Sequence, residues 1–451
     1  MLFRVQTTVL KSMGFITLRM NESSPKAANW QWRLGQLAPV SMTGVAVCFL
    51  LGSFYCCGIN AANILYGFFH PDSIGSVVET GEESAILLFM QLIPFFTIVL
   101  RAFCVSLLFF CKRHGWRNLL TQADQFIDHA LPSSCSITLL RRKMRSASVF
   151  LFIVTFTIHL VWEFVEWVVY MEGDNMTLSS DNFLAPLPIT YYAFQGVVIW
   201  TLFSSVPFIM SQQLFTCVIM LAMLPQAAMK GLNREVGDET AYYEVQSQFA
   251  TTRLTSVPRK LLLLTEERVR MWEATYMSTL IFIGRVNDFF GWILFILYGL
   301  DFLTLLGFVS NIVNNARSDW QSYAYLFLSS AIFLLYLTVF VCPLVSTQEE
   351  GVRIRFAIHR LAFKVERCVT WEEDYLGQSL RESAQRLLKR LRRFETVCQR
   401  HTLIFNGAAI IQFTRTFLVG TCTFLLSFMV LAREFFVKEK VAGVIESQHG
   451  P

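Results

Sequence analysis

The stretch that decides the fold is Thr402 to Phe436, TLIFNGAAIIQFTRTFLVGTCTFLLSFMVLAREFF, which reads as one apolar helix ending close to the last residue, Pro451. A helix needs about 20 mostly apolar residues to cross the hydrocarbon of a bilayer, and this run exceeds that length. Working back through the chain, the same criterion selects runs near 37–59, 85–111, 148–170, 189–223, 280–312 and 323–346, which makes seven with 402–436. Composition agrees, because 54% hydrophobic and only 16% charged residues over 451 positions is too apolar for a soluble protein of this size. The sequence therefore predicts an all-α, polytopic membrane protein. The runs do not repeat one another, so the internal symmetry of an inverted-repeat transporter is absent.

Lysine and arginine set the expected orientation. The connection after the second run carries Lys112, Arg113, Arg117, Arg141, Arg142, Lys143 and Arg145, whereas Asn60–Ser84, after the first, has no lysine or arginine. The alternation continues with Lys230, Arg234, Arg253, Arg259, Lys260, Arg268 and Arg270 after the fourth run, against only Arg317 after the fifth. The most basic connection precedes the last run and holds Arg386, Lys389, Arg390, Arg392 and Arg393. Basic loops stay in the cytosol. This predicts a cytosolic N-terminal tail over 1–36, a six-helix bundle over 37–401 with cytosolic connections at 112–147, 224–279 and 347–401, and an extracellular tail over 437–451. Asn175-Met176-Thr177 is a glycosylation triplet on the expected outer side. The N-terminal segment lacks the apolar core and cleavage site of a signal peptide.

With the helices placed, the last turns of the final run carry a pattern. Ser427-Phe428, five residues, then Glu434-Phe435 resembles the Thr-Tyr, five residues, Gln-Phe signature that ends invertebrate gustatory receptors, with a different residue at three of the four positions. Two further patches are similar to that family: Asn287-Asp288-Phe289-Phe290-Gly291, like its Asn-x-x-Phe-(Gly/Ser) pattern, and Asn406-Gly407, where relatives carry a small-Gly pair. Read without the family, Asn287 and Gly407 are equally ordinary helix-packing residues. The resemblance covers essentially the whole chain. It implies an inverted seven-helix, ligand-gated, non-selective cation channel in the plasma membrane, a homo- or heterotetramer joined through its cytosolic helical extensions. It further implies that Leu431, Glu434 and Phe435 face the conduction axis. Spacings of three and four put these on one helix face, with Phe428 and Ser427 continuing it inward. In a four-fold assembly, Leu431 and Phe435 would form apolar rings and Glu434 a carboxylate ring. A solvated Glu434 paired with Arg433 is the bland alternative.

Charges within apolar runs are costly and point to function. His159, Glu163 and Glu166 share one face of the third run, and Arg101 lies at a comparable depth in the second. Either Arg101 or His159 pairs with Glu163 and ties helices two and three, or these groups form the polar floor of a small-molecule site. The walls of that site would be Trp162, Trp167, Tyr170, Tyr191, Tyr192, Gln195, Tyr323 and Tyr325. Asp301 and Arg285 in the fifth run stay open to both readings. The amphipathic stretch Leu380–Phe394, apolar at 380, 384, 387, 388, 391 and 394 and basic opposite, either binds anionic lipid or packs against other helical extensions and subunits. Trp116–Ile127 is amphipathic in the same way.

Eleven cysteines without metal spacing predict mostly free thiols, with a bridge at Cys56 or Cys57 left open. No Walker loop, GxSxG, HExxH or dinucleotide fingerprint occurs, so neither catalytic residues nor a cofactor or metal is expected. The expected partners are a small-molecule ligand, cations, membrane lipid and other subunits, not nucleic acid. A metabotropic seven-helix receptor and a secondary transporter are the other classes compatible with this composition.

Overall fold

A computed structural model of the chain describes residues 29–69, 85–130, 134–172, 201–251, 264–314, 320–338, 341–371 and 378–448. Its helices are α1 (Asn29–Phe69), α2 (Ala85–Ala130), α3 (Ser134–Glu172), α4 (Val206–Thr251) and α5 (Glu266–Asn314). They continue with α6 (Trp320–Thr338), α7 (Cys342–Trp371), α8 (Gln378–Arg400) and α9 (Arg415–Gln448). Among the described residues, seven helical stretches are long and apolar enough to cross a bilayer. The protein is a multi-pass membrane protein of all-helical fold, as its hydropathy predicts.

Several helices far exceed a membrane crossing. At about 1.5 Å per residue, the 49 residues of α5 extend roughly 70 Å, more than twice the hydrocarbon thickness of about 30 Å. The excess lies at the end that carries the basic connections, where α4, α5, α7 and α8 form a second layer. The apolar stripe of α8 (Ala384, Leu387, Leu391, Phe394 and Cys398) is buried within the same chain, which resolves the amphipathic reading of 380–394 toward packing against other helical extensions. Its basic face is engaged with acids: Arg390 meets Glu273 at 3.0 Å, Arg392 meets Glu366 at 2.6 Å and Glu395 at 3.1 Å, and His359 approaches Glu395 at 2.7 Å. Burial disfavours charge on Glu395, yet the hydrogen bonds from His359 and Arg392 outweigh it and hold this carboxyl below its ordinary range. Burial also pushes the Cys398 thiol up to about 12. Trp116, Leu119, Ala123 and Ile127 of α2 are likewise buried.

The centre of the molecule is the antiparallel pair α2 and α5. Three interactions step along it in register. Gly307 lies so close to Pro94 that an added Cβ would stand 2.4 Å from its ring, Thr97 and Thr304 hydroxyls meet at 2.8 Å, and Arg101 Nε is 2.6 Å from Asp301 Oδ1. Further along, Lys112 Nζ donates to the Asp288 and Phe289 carbonyls at 2.8 and 3.0 Å. Small residues permit the approach and polar groups fasten it, as expected where lipid supplies no competing hydrophobic drive.

One sequence expectation is corrected. The run Thr402–Phe436 is not helical throughout: helix α9 begins at Arg415, and an antiparallel hairpin pairs Asn406 with Gln412 and Gly407 with Ile411. Ala408 and Ala409 form its turn with φ of 53° and 60°, closed by Ile410 N–H to the Gly407 carbonyl at 2.9 Å. Two alanines in left-handed conformation cost roughly 1–2 kcal/mol each, so the hairpin is held by what it touches. Asn287 of α5 supplies the clamp, donating to the Ile404 carbonyl at 3.1 Å and accepting from the Asn406 N–H at 3.0 Å. Gly291, one turn on, lets the hairpin backbone seat, since a Cβ there would lie 3.3 Å from Ala408 N; Gly407 approaches the Phe295 backbone equally closely. The sixth run falls within a candidate span over Tyr323–Arg367, which takes in α6 and α7. Cys56 and Cys57 are both free thiols.

Replacing Asn287 by alanine strands two partly buried backbone groups, at about 1–3 kcal/mol for a buried group left unsatisfied. Thermal melting of the solubilised protein should show a lower midpoint for Asn287→Ala. It should show a higher one for Ala408→Asn with Ala409→Gly, because that pair favours the turn's backbone; a lower midpoint for the pair would contradict the strain assigned here.

Candidate functional site

Three of the expected ligand residues meet at one cavity. His159, Trp162 and Glu163 of α3, Phe95 and Ile98 of α2, and Ser204, Ser205 and Phe208 around the start of α4 line a space of about 10 Å³, room for one water-sized group. The serines are placed by a π-helical turn over Thr201–Ser205. Its cause is local: Pro207 has no N–H to offer the Phe203 carbonyl, which accepts instead from Ser53 Oγ of α1 at 2.7 Å. Helix α1 seats tightly there, with Gly52 packed directly on the Phe203 ring.

Within the cavity, His159 Nε2 stands 3.3 Å from Glu163 Oε1. His159 is buried and Glu163 is 28% exposed at the mouth. Trp162 is locked by its indole N–H donating to Ser329 Oγ of α6 at 3.0 Å. Its ring and those of His159 and Phe208 pack together, with centroids 5.5–5.9 Å apart.

Arg101 lies behind this wall rather than in it. Its guanidinium packs against the Phe208 ring, 4.9 Å from the centroid, donates to Ser211 at 2.8 Å and pairs with Asp301. The Gln212 carboxamide, oriented with its oxygen inward, accepts from both terminal nitrogens at 3.2 Å. Arg101 and Asp301 are 0% and 2% exposed, a pairing that lipid demands of buried charges. The sequence alternatives for Glu163 are thereby corrected. Arg101 ties α2 to α5 through Asp301, and the His159–Glu163 contact lies within α3 and joins no two helices. The arginine had two acids in reach along the sequence, and only packing selected between them.

The remaining expected residues scatter or lie outside the description. Tyr323 is exposed on α6, and Tyr325 is buried against Phe308. The side chains of Glu166, Trp167 and Tyr170, and all of Asn175, Tyr191, Tyr192 and Gln195, fall outside the described residues. Phe208, Ser204 and Ser205 were not anticipated; the only sequence signal was a serine pair ahead of Pro207 inside an apolar run.

At the other expected site, α9 touches its own chain along one side. Tyr298 of α5 donates to Thr421 at 2.9 Å and packs against Phe413 and Phe417, while Phe302 meets Phe424. Ser427, Leu431 and Glu434 are exposed, whereas Phe428 turns back, half-buried, onto the bundle. The side chain of Phe435 is outside the described residues.

The sequence matches no protein-family model and no curated protein. The fold does have solved counterparts. It is similar to the insect olfactory receptor OR5 from Machilis hrabei, with a TM-score of 0.58 at 10% identity, covering 95% of this chain and 96% of that one. It is equally similar to the same receptor in complex with eugenol, with a TM-score of 0.58 at 11% identity and 96% and 97% coverage. The chain has the fold of an insect olfactory receptor. The similarity spans nearly the whole length of both chains.

The buried pair gives a test of what stabilises this fold. Asp301→Asn leaves Arg101 uncompensated in the core, and breaking a buried pair costs about 3–5 kcal/mol. Thermal melting should show that loss for the single variant and recovery of most of it for Arg101→Met with Asp301→Leu.

Proposed function

We propose that this chain is a chemosensory receptor of the gustatory type acting as a ligand-gated, non-selective cation channel. It resides in the plasma membrane with a cytosolic N-terminus and assembles with three like subunits, identical or related. The observation that carries the reading is the contrast between spans. In the best apolar window of α9 only 6% is buried within the chain, against 83% for α4. An apolar helix attached by one side has its other faces available for lipid, partner subunits and a shared axis. Ser427, Leu431 and Glu434 recur at spacings of four and three on the exposed part of α9. Four copies around an axis would present a Leu431 ring that closes by dewetting and a Glu434 ring that attracts cations.

The cavity lined by His159, Trp162 and Glu163 is the ligand site in this reading. A continuous set of contacts joins it to the conduit: Phe208 to Arg101, Arg101 to Asp301 on α5, then Asn287 and Tyr298 of α5 to the hairpin and α9. A ligand that displaces α5 would therefore move α9 with it. The fold of an insect olfactory receptor supports the proposal, as does the resemblance of residues 427–435 to the gustatory signature.

Currents through Glu434→Gln channels test it. Removing the carboxylate ring should lower the preference for cations over anions and weaken block by calcium; unchanged selectivity together with unchanged block would overturn the assignment of α9 as the conduit wall.

A further inference from the structure

We propose that the cavity beside Glu163 takes the head of a small primary amine in its ammonium form, an inference that rests on reading this cavity as the ligand site. Size is the first reason. About 10 Å³ admits one heavy atom with its hydrogens and excludes a sugar or aromatic ring, so only a compact head enters while the rest of the ligand leaves by the mouth.

Charge is the second reason. Glu163 brings a carboxylate, and among the described residues no lysine or arginine lines the cavity. Arg101, behind the wall, is already paired with Asp301 and Gln212 and packs on the Phe208 ring, which lines the cavity. His159 is the other titratable group at the site; it is 3% exposed, and neither ring nitrogen has a hydrogen-bond partner among the described residues. A buried imidazole left in that state is costly unless something completes it.

Hydrogen-bond count is the third reason. The Glu163 carboxylate, the Ser205 hydroxyl and an imidazole nitrogen of His159 all line this small cavity and offer three acceptors. An ammonium head carries three donors and no acceptor. An alcohol has one donor, and a carboxylate would be repelled by Glu163. The faces of Trp162 and Phe208, 5.7 Å apart at their centroids, add cation–π attraction. Because the Trp162 N–H is committed to Ser329, that ring acts as a fixed wall and not as a competing donor.

Full-length protein in lipid nanodiscs, titrated with butylamine, 1-butanol, butyrate and butyltrimethylammonium and followed by thermal shift, tests this directly. Butylamine should bind at concentrations about tenfold or more below those of butanol, the scale of a charge-assisted hydrogen bond. Butyltrimethylammonium, which has no N–H and a larger head, should not compete. Glu163→Gln should raise the butylamine concentration required by about tenfold or more. Should that variant not yield monodisperse protein, Ser205→Ala serves, with an expected rise of about threefold. Butanol or butyrate equal to butylamine, or an unaltered butylamine titration in the variant, would overturn the inference. Recordings separate it from the channel reading: binding of butylamine without current overturns only the latter, whereas currents evoked by other compounds without butylamine binding overturn only the former.

Discussion

Lipid offers neither hydrogen bonds nor solvation for charge, and this constraint shapes every polar feature between the helices. The Arg101–Asp301 pair meets it at the core. Arg101 is surrounded by Asp301, Ser211, Gln212 and the Phe208 ring, so that a guanidinium costing several kcal/mol to desolvate becomes the fastening of α2 to α5. The same constraint explains Ser53, which satisfies the Phe203 carbonyl that Pro207 leaves without a donor. It also explains Asn287, whose amide satisfies both a donor and an acceptor of the hairpin backbone.

Helix α5 emerges as the element through which the others are joined. Asp301, in its later half, holds α2 by the buried pair, its Asn287–Phe295 segment seats the hairpin, and Tyr298 and Phe302 grip α9. In its first turns, toward the basic connections, Glu273 binds Arg390 of α8. The hairpin is a short, strained piece between two long helices, and its two left-handed alanines are retained because the surrounding contacts specify that conformation. In the proposed channel, this is the joint at which movement of α5 becomes movement of the conduit wall.

How much of this was legible follows from which forces act locally. The seven spans were readable because hydropathy over about 20 residues is a bulk property. The Asn287–Gly291 and Asn406–Gly407 patches each stood out by pattern, but that they form one joint depends on tertiary contact. The hairpin was misread as helix since Ala408, Ala409, Ile410 and Ile411 are all compatible with an apolar helix, and positive φ at alanine leaves no mark in sequence. His159 and Glu163 were found by helical spacing and Trp162 as an aromatic wall, and the three do converge, whereas Ser204 and Ser205 enter through a π turn that periodicity of 3.6 does not describe. Phe428 and Ser427 were both placed on the Leu431 face, at spacings of three and four from it, yet neighbours differ by about 100° around a helix, and Phe428 is the one turned toward the bundle.

The channel reading stands on the proposed sidedness of the chain, in which seven spans would place its two ends in different compartments. Epitope tags before Met1 and after Pro451, probed with antibody on intact and then permeabilised cells, measure this directly. The account predicts that the tag after Pro451 is reached on intact cells and the tag before Met1 only after permeabilisation. A C-terminal tag detected solely after permeabilisation would contradict it.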